Sequence, residues 1–236
     1  MRLLSYTIFA FILLSCSSMD DVVTTQQIYE PVEDPTSIYY LALGDSYTIG
    51  QSVAYNQNFP SQLKDSLEKN IALPITTEII AVTGWRTDNL IDAINKGTQR
   101  RTYDFVTLLI GVNNQYQNRP FTQYENEFPE LLKRAVALAE GNSKKVIVVS
   151  IPDYAYTPFG QNSPNSKIIS EEIDAYNQFA KKITEGFGVI FVNITDITRK
   201  GLENPNLVAS DGLHPSAQAY KKFVERLYSI ALPIVK

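Results

Sequence analysis

Apolar positions along the chain gather into short runs, and helical stretches lie between those runs. Ile38–Leu43 is an apolar run that stops at Gly44, and Glu78–Val82, Phe105–Ile110, Lys145–Ile151 and Val189–Val192 repeat the theme. Runs this short, bounded by glycine or proline, predict buried strands. Phe59–Leu67, Thr87–Ile94, Tyr124–Ala139 and Ser216–Ala231 read as helices, with Thr87 placed as an N-cap. Ile169, Ile173, Tyr176, Ala180 and Ile183 recur at spacings of four, three, four and three, which is one face of a further helix. The stretch 153–165 is rich in Tyr, Pro and Gly and reads as a loop. Strands that are apolar throughout and alternate with helices predict a parallel sheet covered on both faces. Right-handed crossovers make that sheet doubly wound. The pattern contains no internal repeat and no second folded domain.

The N-terminus follows a different pattern. Arg2 precedes an apolar run from Leu3 to Leu14, too short for a bilayer span of roughly 20 residues but suited to the core of a signal peptide. The run ends in Leu13-Leu14-Ser15-Cys16, which resembles the lipobox of bacterial lipoproteins. That resemblance implies cleavage before Cys16 and lipid modification of Cys16. Residues 17–36 are polar and acidic, include Pro31 and Pro35, and read as a tether. Asp20 and Asp21 resemble the acidic surface-export signals of some lipoproteins. The expected organisation is a signal peptide over 1–15, a lipidated cysteine and flexible tether over 16–36, and a folded domain over 37–236. The expected location is outside the cytoplasm, lipid-anchored to a bacterial membrane and exposed at the cell surface.

Composition narrows the chemistry. Apolar residues are 44% and charged residues 19% of the 236, the balance of a folded domain. A net charge of −4 gives no reason to expect nucleic acid. With one Cys and one His, neither an internal disulfide nor a zinc site can be assembled. No loop has the shape of a calcium or magnesium site, so no cofactor is expected.

Ligands of open α/β sheets bind beyond the carboxyl ends of the strands. The first predicted strand is followed by Gly44-Asp45-Ser46-Tyr47, the second by Thr83-Gly84-Trp85, and the third by Gly111-Val112-Asn113-Asn114. Asp211-Gly212-Leu213-His214-Pro215 precedes the final helix. A serine hydroxyl needs a base, an imidazole needs a carboxylate to orient it, and a tetrahedral oxyanion needs preorganised donors. These loops supply all of them, and His214 is the one imidazole available. There is no Gly-x-Ser-x-Gly elbow, which disfavours a standard α/β-hydrolase, and no Gly-Lys-Ser/Thr phosphate loop.

The four blocks, in this order, resemble the SGNH hydrolases, also called GDSL lipases or esterases. The resemblance implies a flavodoxin-like three-layer α/β/α sandwich with a five-stranded parallel sheet. It implies Ser46 as nucleophile, Asp211 and His214 as the rest of the triad, and an oxyanion hole from the Ser46 and Gly84 N–H groups and the Asn113 side chain. Two positions depart from the commonest pattern. Tyr47 stands where the family has Leu, and Asn114 where Asp often follows the oxyanion Asn. Tyr47, Trp85, Asn114 and Tyr116 are candidates for the substrate wall, with Tyr154, Tyr156 and Phe159 nearby. The expected activity is a serine carboxylester hydrolase acting on a small-molecule, lipid or glycan ester. Two alternatives stand beside it: a non-catalytic module that binds carbohydrate or a protein partner, and an acyltransferase using the same triad.

Overall fold

A computed structural model describes residues 36–236. Cys16 and the predicted signal peptide and tether lie outside the described residues, Thr36 apart. Five strands form one sheet: β1 (Ile38–Gly44), β2 (Ile75–Ala81), β3 (Phe105–Leu109), β4 (Val146–Val149) and β5 (Ile190–Val192). Every pairing is parallel and the order is β2-β1-β3-β4-β5, the flavodoxin-like doubly wound arrangement. The central strands β1, β3 and β4 are almost wholly buried, whereas β2 at the edge is only partly so. That explains why the apolar pattern alone places the start of β2 late. Ile75-Thr76-Thr77 pair with Ile38, Tyr39 and Tyr40, but two of the three are threonines on a half-covered strand.

Nine α-helices connect and cover the described strands: α1 (Ser46–Ile49), α2 (Phe59–Glu68), α3 (Thr87–Asn95), α4 (Val112–Tyr116), α5 (Phe121–Leu138), α6 (Pro158–Gln161), α7 (Ser166–Gly186), α8 (Thr195–Thr198) and α9 (Ala217–Val235). Of the long ones, α2 packs with α9, while α3 packs with α5 and α5 with α7. The sheet lies between these two groups. The α7 stripe foreseen from the sequence is the buried one: Ile169, Ile173, Tyr176 and Ala180 face inward. Asn58 and Ser216 cap α2 and α9 by accepting the N–H groups of Ser61 and Ala219.

The start of α3 corrects one expectation. Thr87 is the first helical residue and not the cap; Arg86 occupies the cap position and offers no side-chain acceptor. The Thr87 N–H is accepted instead by Asn114 Oδ1 at 3.1 Å, reaching across from α4.

The candidate active site

The site is built where β1, β2 and β3 end. After Gly44 the chain turns into α1, with Asp45 as N-cap accepting the Tyr47 N–H at 3.0 Å. Ser46 is therefore the first residue of a helix, and N–H groups there have no partner within the helix. Thr48 and Ile49 N–H both reach the Asp45 carbonyl, at 3.0 and 3.1 Å, so the turn carrying Ser46 is fixed.

Asp45 is fully buried, and burial pushes its carboxyl up to about 7, against the pull of the Tyr47 N–H and the Asn113 amide. It does not line the cavity that Ser46 opens onto. It is a buried support of the turn whose charge changes in the neutral range.

Gly84 lies on the turn after β2 with φ +82°, a backbone geometry that side chains other than glycine rarely adopt. Gln117 Nε2 donates to the Gly84 carbonyl at 2.8 Å, tying this turn to the end of α4. Gly111 stands at the head of α4 with φ +128°, and a Cβ there would lie 2.5 Å from the Tyr124 ring. Both facts require glycine, and the close approach to Tyr124 sets where α4 and its two asparagines begin.

The two asparagines part company. Asn113 lines the cavity, and its Nδ2 donates to the Trp85 carbonyl at 3.0 Å and approaches Asp45 Oδ2 at 3.4 Å. Asn114 is fully buried and committed to α3: its Oδ1 accepts the Thr87 N–H and its Nδ2 donates to Thr87 Oγ1 at 2.7 Å. Asn114 as a substrate-wall residue is thus corrected, because both ends of its amide are spent on a helix start. Trp85 is corrected too. Its side chain packs against the core and is absent from the cavity lining, and its contribution is the backbone carbonyl that holds Asn113.

The Asp211–His214 segment closes on itself. Asp211 Oδ1 accepts the N–H groups of Leu213 and His214 at 2.9 and 3.0 Å, and Oδ2 lies 2.6 Å from His214 Nδ1. The His214 carbonyl accepts the Ala209 N–H at 2.7 Å. The imidazole is buried and packs on the Tyr47 ring, centroids 4.9 Å apart. Sequence reasoning missed one partner. Ser52 Oγ also donates to Asp211 Oδ2, at 2.6 Å, from a residue held at φ +68°. Nothing in the local sequence marks Ser52, because it meets Asp211 across 159 positions. Burial raises the Asp211 carboxyl, but the Ser52, Leu213 and His214 hydrogen bonds together outweigh it and hold the group at about 2.

A cavity of about 220 Å³ gathers these groups. Ser46, Gly84, Asn113 and His214 line it, with Tyr47, Val112, Tyr116, Tyr154, Phe159 and Leu213 providing mostly apolar walls. Of the aromatic candidates, Tyr47 and Tyr116 are in this lining. Tyr156 is not in this lining. Among the described residues no hydrogen bond joins Ser46 Oγ to the His214 ring. Such bonds often form only when substrate is bound. Among the described residues no group of three or more His, Cys, Asp or Glu side chains could hold a metal.

Comparison with known proteins agrees with the fold. The model of the GDSL-like Lipase/Acylhydrolase family matches residues 42–222. No curated protein matches the sequence. Axe2, an acetylxylan esterase from Geobacillus stearothermophilus, superposes with a TM-score of 0.64 at 17% identity, over 82% of this chain and 94% of that one. A lipase/acylhydrolase from Enterococcus faecalis superposes with a TM-score of 0.64 at 19% identity, over 84% and 97% of the two chains. TesA does so with a TM-score of 0.61 at 14% identity, over 83% and 99%.

Proposed function

This chain belongs to the GDSL-like lipase/acylhydrolase family, and from that membership we propose that it is a serine carboxylester hydrolase working through an acyl-enzyme. Ser46 Oγ attacks the ester carbonyl and gives its proton to His214 Nε2. Asp211 holds the imidazole through Nδ1 and stabilises the imidazolium. The oxyanion rests on the Ser46 and Gly84 N–H groups and on the Asn113 amide, which exchanges its long 3.4 Å contact with Asp45 for the substrate. The carbon–oxygen bond then breaks, His214 protonates the departing alcohol, and water repeats the attack on the acyl-enzyme. The observation that carries this reading is that His214, held by the 2.6 Å hydrogen bond to Asp211, lines a cavity together with Ser46, Gly84 and Asn113.

The cavity also supports a choice of acyl group. Its 220 Å³ is below the roughly 300–1,000 Å³ of sites for drug-sized ligands. We therefore expect short acyl esters to be preferred, in line with Axe2 being an acetylxylan esterase. On p-nitrophenyl esters, kcat/KM is highest for acetate to butyrate and drops by about tenfold or more at octanoate and beyond. A maximum at long chains overturns the short-acyl reading, and no turnover of any ester overturns the hydrolase reading.

The two asparagines give a second test. Asn113→Ala lowers kcat by about 10²–10³, the usual effect of removing one oxyanion donor. Asn114→Ala instead lowers thermal stability, by an amount on the order of 1–3 kcal/mol, because the buried Thr87 N–H loses its acceptor and the Thr87 hydroxyl keeps only Glu127. Kinetics and thermal melts of the two variants decide, and the reverse ranking shows the donor to be misassigned.

The N-terminus completes the proposal. Residues 1–15 direct export and Cys16 carries the lipid that anchors the enzyme to a bacterial membrane. Cys16→Ser then releases the protein from the membrane fraction, and a variant that still sediments with membranes like wild type contradicts the anchor.

A further inference from the structure

Next to the catalytic cavity lies a second one of about 530 Å³. Tyr116, Tyr154 and Phe159 line both and form a collar between them. The Tyr116 ring lies edge-on to Tyr154 at 5.8 Å and tilted to Phe159 at 6.1 Å. Tyr116 and Phe159 are 50% and 39% exposed, so ring surface is left uncovered beside the site.

Beyond the collar the lining gains polar groups, Gln115, Asn118, Asn162, Ser163, Asn165 and Glu172, beside Ile168 and Ile169. A relay fixes part of it. Tyr154 Oη donates to Gln115 Oε1 at 2.8 Å, and Gln115 Nε2 donates to Glu172 Oε2 at 2.7 Å. Arg199 ties α7 to the turn that carries Tyr154, bonding the buried Asp153 at 2.9 Å and Asp174 of α7 at 2.8 Å. A third cavity of about 310 Å³ shares Gln115, Asn118 and Glu172 and carries the groove onward.

This lining discriminates among alcohols. A long alkyl chain laid along it would cover amides and a carboxylate without replacing their hydrogen bonds, which costs free energy for each group. A phosphorylated alcohol would meet Glu172, the one charged side chain lining the second cavity, with no Lys or Arg there to pair with it. A neutral polyol meets neither penalty. Its hydroxyls match the Asn, Gln, Ser and Glu groups, and its C–H faces lie on the exposed rings.

We propose that the second cavity is the leaving-group subsite and takes a neutral polyhydroxylated alcohol, a sugar unit of an acylated glycan, with the third cavity receiving the next unit. The proposal rests on the ester-hydrolase reading and adds the alcohol side of the substrate to it.

The test compares p-nitrophenyl acetate, hexyl acetate, an O-acetylated neutral oligosaccharide and a phosphorylated counterpart of that oligosaccharide. Wild type favours the neutral sugar ester over hexyl acetate and over the phosphorylated ester by about tenfold or more in kcat/KM, the scale of one or two polar contacts. Ile168→Trp, on the exposed wall of the second cavity, lowers the ratio of sugar ester to p-nitrophenyl acetate by about tenfold, chiefly through KM. Glu172→Lys shifts the preference toward the phosphorylated sugar ester. Turnover of p-nitrophenyl acetate without preference for the sugar ester overturns the subsite and leaves the hydrolase reading intact. The same holds for ratios that do not move in either variant. Failure to hydrolyse any of the four overturns both.

Discussion

Replacing Ser46 with alanine lowers kcat for ester hydrolysis by a factor of about 10⁴–10⁶ and leaves the domain folded. The size of the loss follows from the mechanism: without the hydroxyl there is no acyl-enzyme, and only the oxyanion donors and binding remain to act on water. The fold survives because little depends on that oxygen. The Ser46 hydroxyl makes no hydrogen bond among the described residues. The turn is held through backbone, by the Asp45 carbonyl accepting from Thr48 and Ile49 and by the Ser46 carbonyl accepting from Gly50 and Gln51. Alanine also suits the first turn of a helix. Circular dichroism melts of wild type and variant should coincide within a few degrees. Wild-type turnover in a folded Ser46→Ala protein rules out the mechanism.

Removing His214 abolishes nearly all activity and, with it, the acid limb of the pH–rate profile. A protonated imidazole cannot accept the serine proton, so kcat/KM falls on the acid side of the profile. Asp211 does not contribute to that limb. Its carboxyl, held at about 2 despite the opposing effect of burial, stays ionised there. Asp211 adds to stability above its unfolded value near 4, and that part is lost as pH falls toward about 2. Asp45 is the other group near the site that changes charge in the neutral range, since burial raises it to about 7. In the fold it binds its proton more readily than in the unfolded chain, so its contribution to stability declines as pH rises from near 4 through about 7. Asp45→Asn separates the two titrations: the acid limb persists in that variant and vanishes in His214→Ala. A limb that disappears with Asp45→Asn assigns it to the wrong group. Asp211→Asn costs about 10²–10³, less than the roughly 10⁴ seen in a protease triad. The Ala209 N–H on the His214 carbonyl and the Tyr47 ring beside the imidazole still hold it in place.

The fold was legible wherever burial is complete. β1, β3 and β4 show themselves as unbroken apolar runs because both faces of the sheet are covered there. The start of β2 was hidden, since an edge strand tolerates Thr76 and Thr77. The short helices α1, α4, α6 and α8 were equally invisible, as each spans four or five residues and carries no full period of apolar positions.

At the site, position after a strand was enough to bring Ser46, Gly84 and Asn113 to one cavity with His214. Which neighbour faces that cavity was not legible. Asn113 and Asn114 are the same residue type one position apart, and the difference lies in Thr87, which engages Asn114 across 27 positions. Trp85 looked like a wall because it is large and next to Gly84, yet it is the backbone carbonyl that serves the site. Ser52 could not have been found, because its partnership with Asp211 exists only once the two loops meet.

The most direct test is to treat the folded protein with a fluorophosphonate and locate the adduct by mass spectrometry of its peptides. The account predicts one adduct per chain, on the peptide containing Ser46, formed in step with loss of esterase activity and absent from Ser46→Ala. An adduct on another residue, or ester hydrolysis that continues with Ser46 unmodified after full exposure to the reagent, would contradict it.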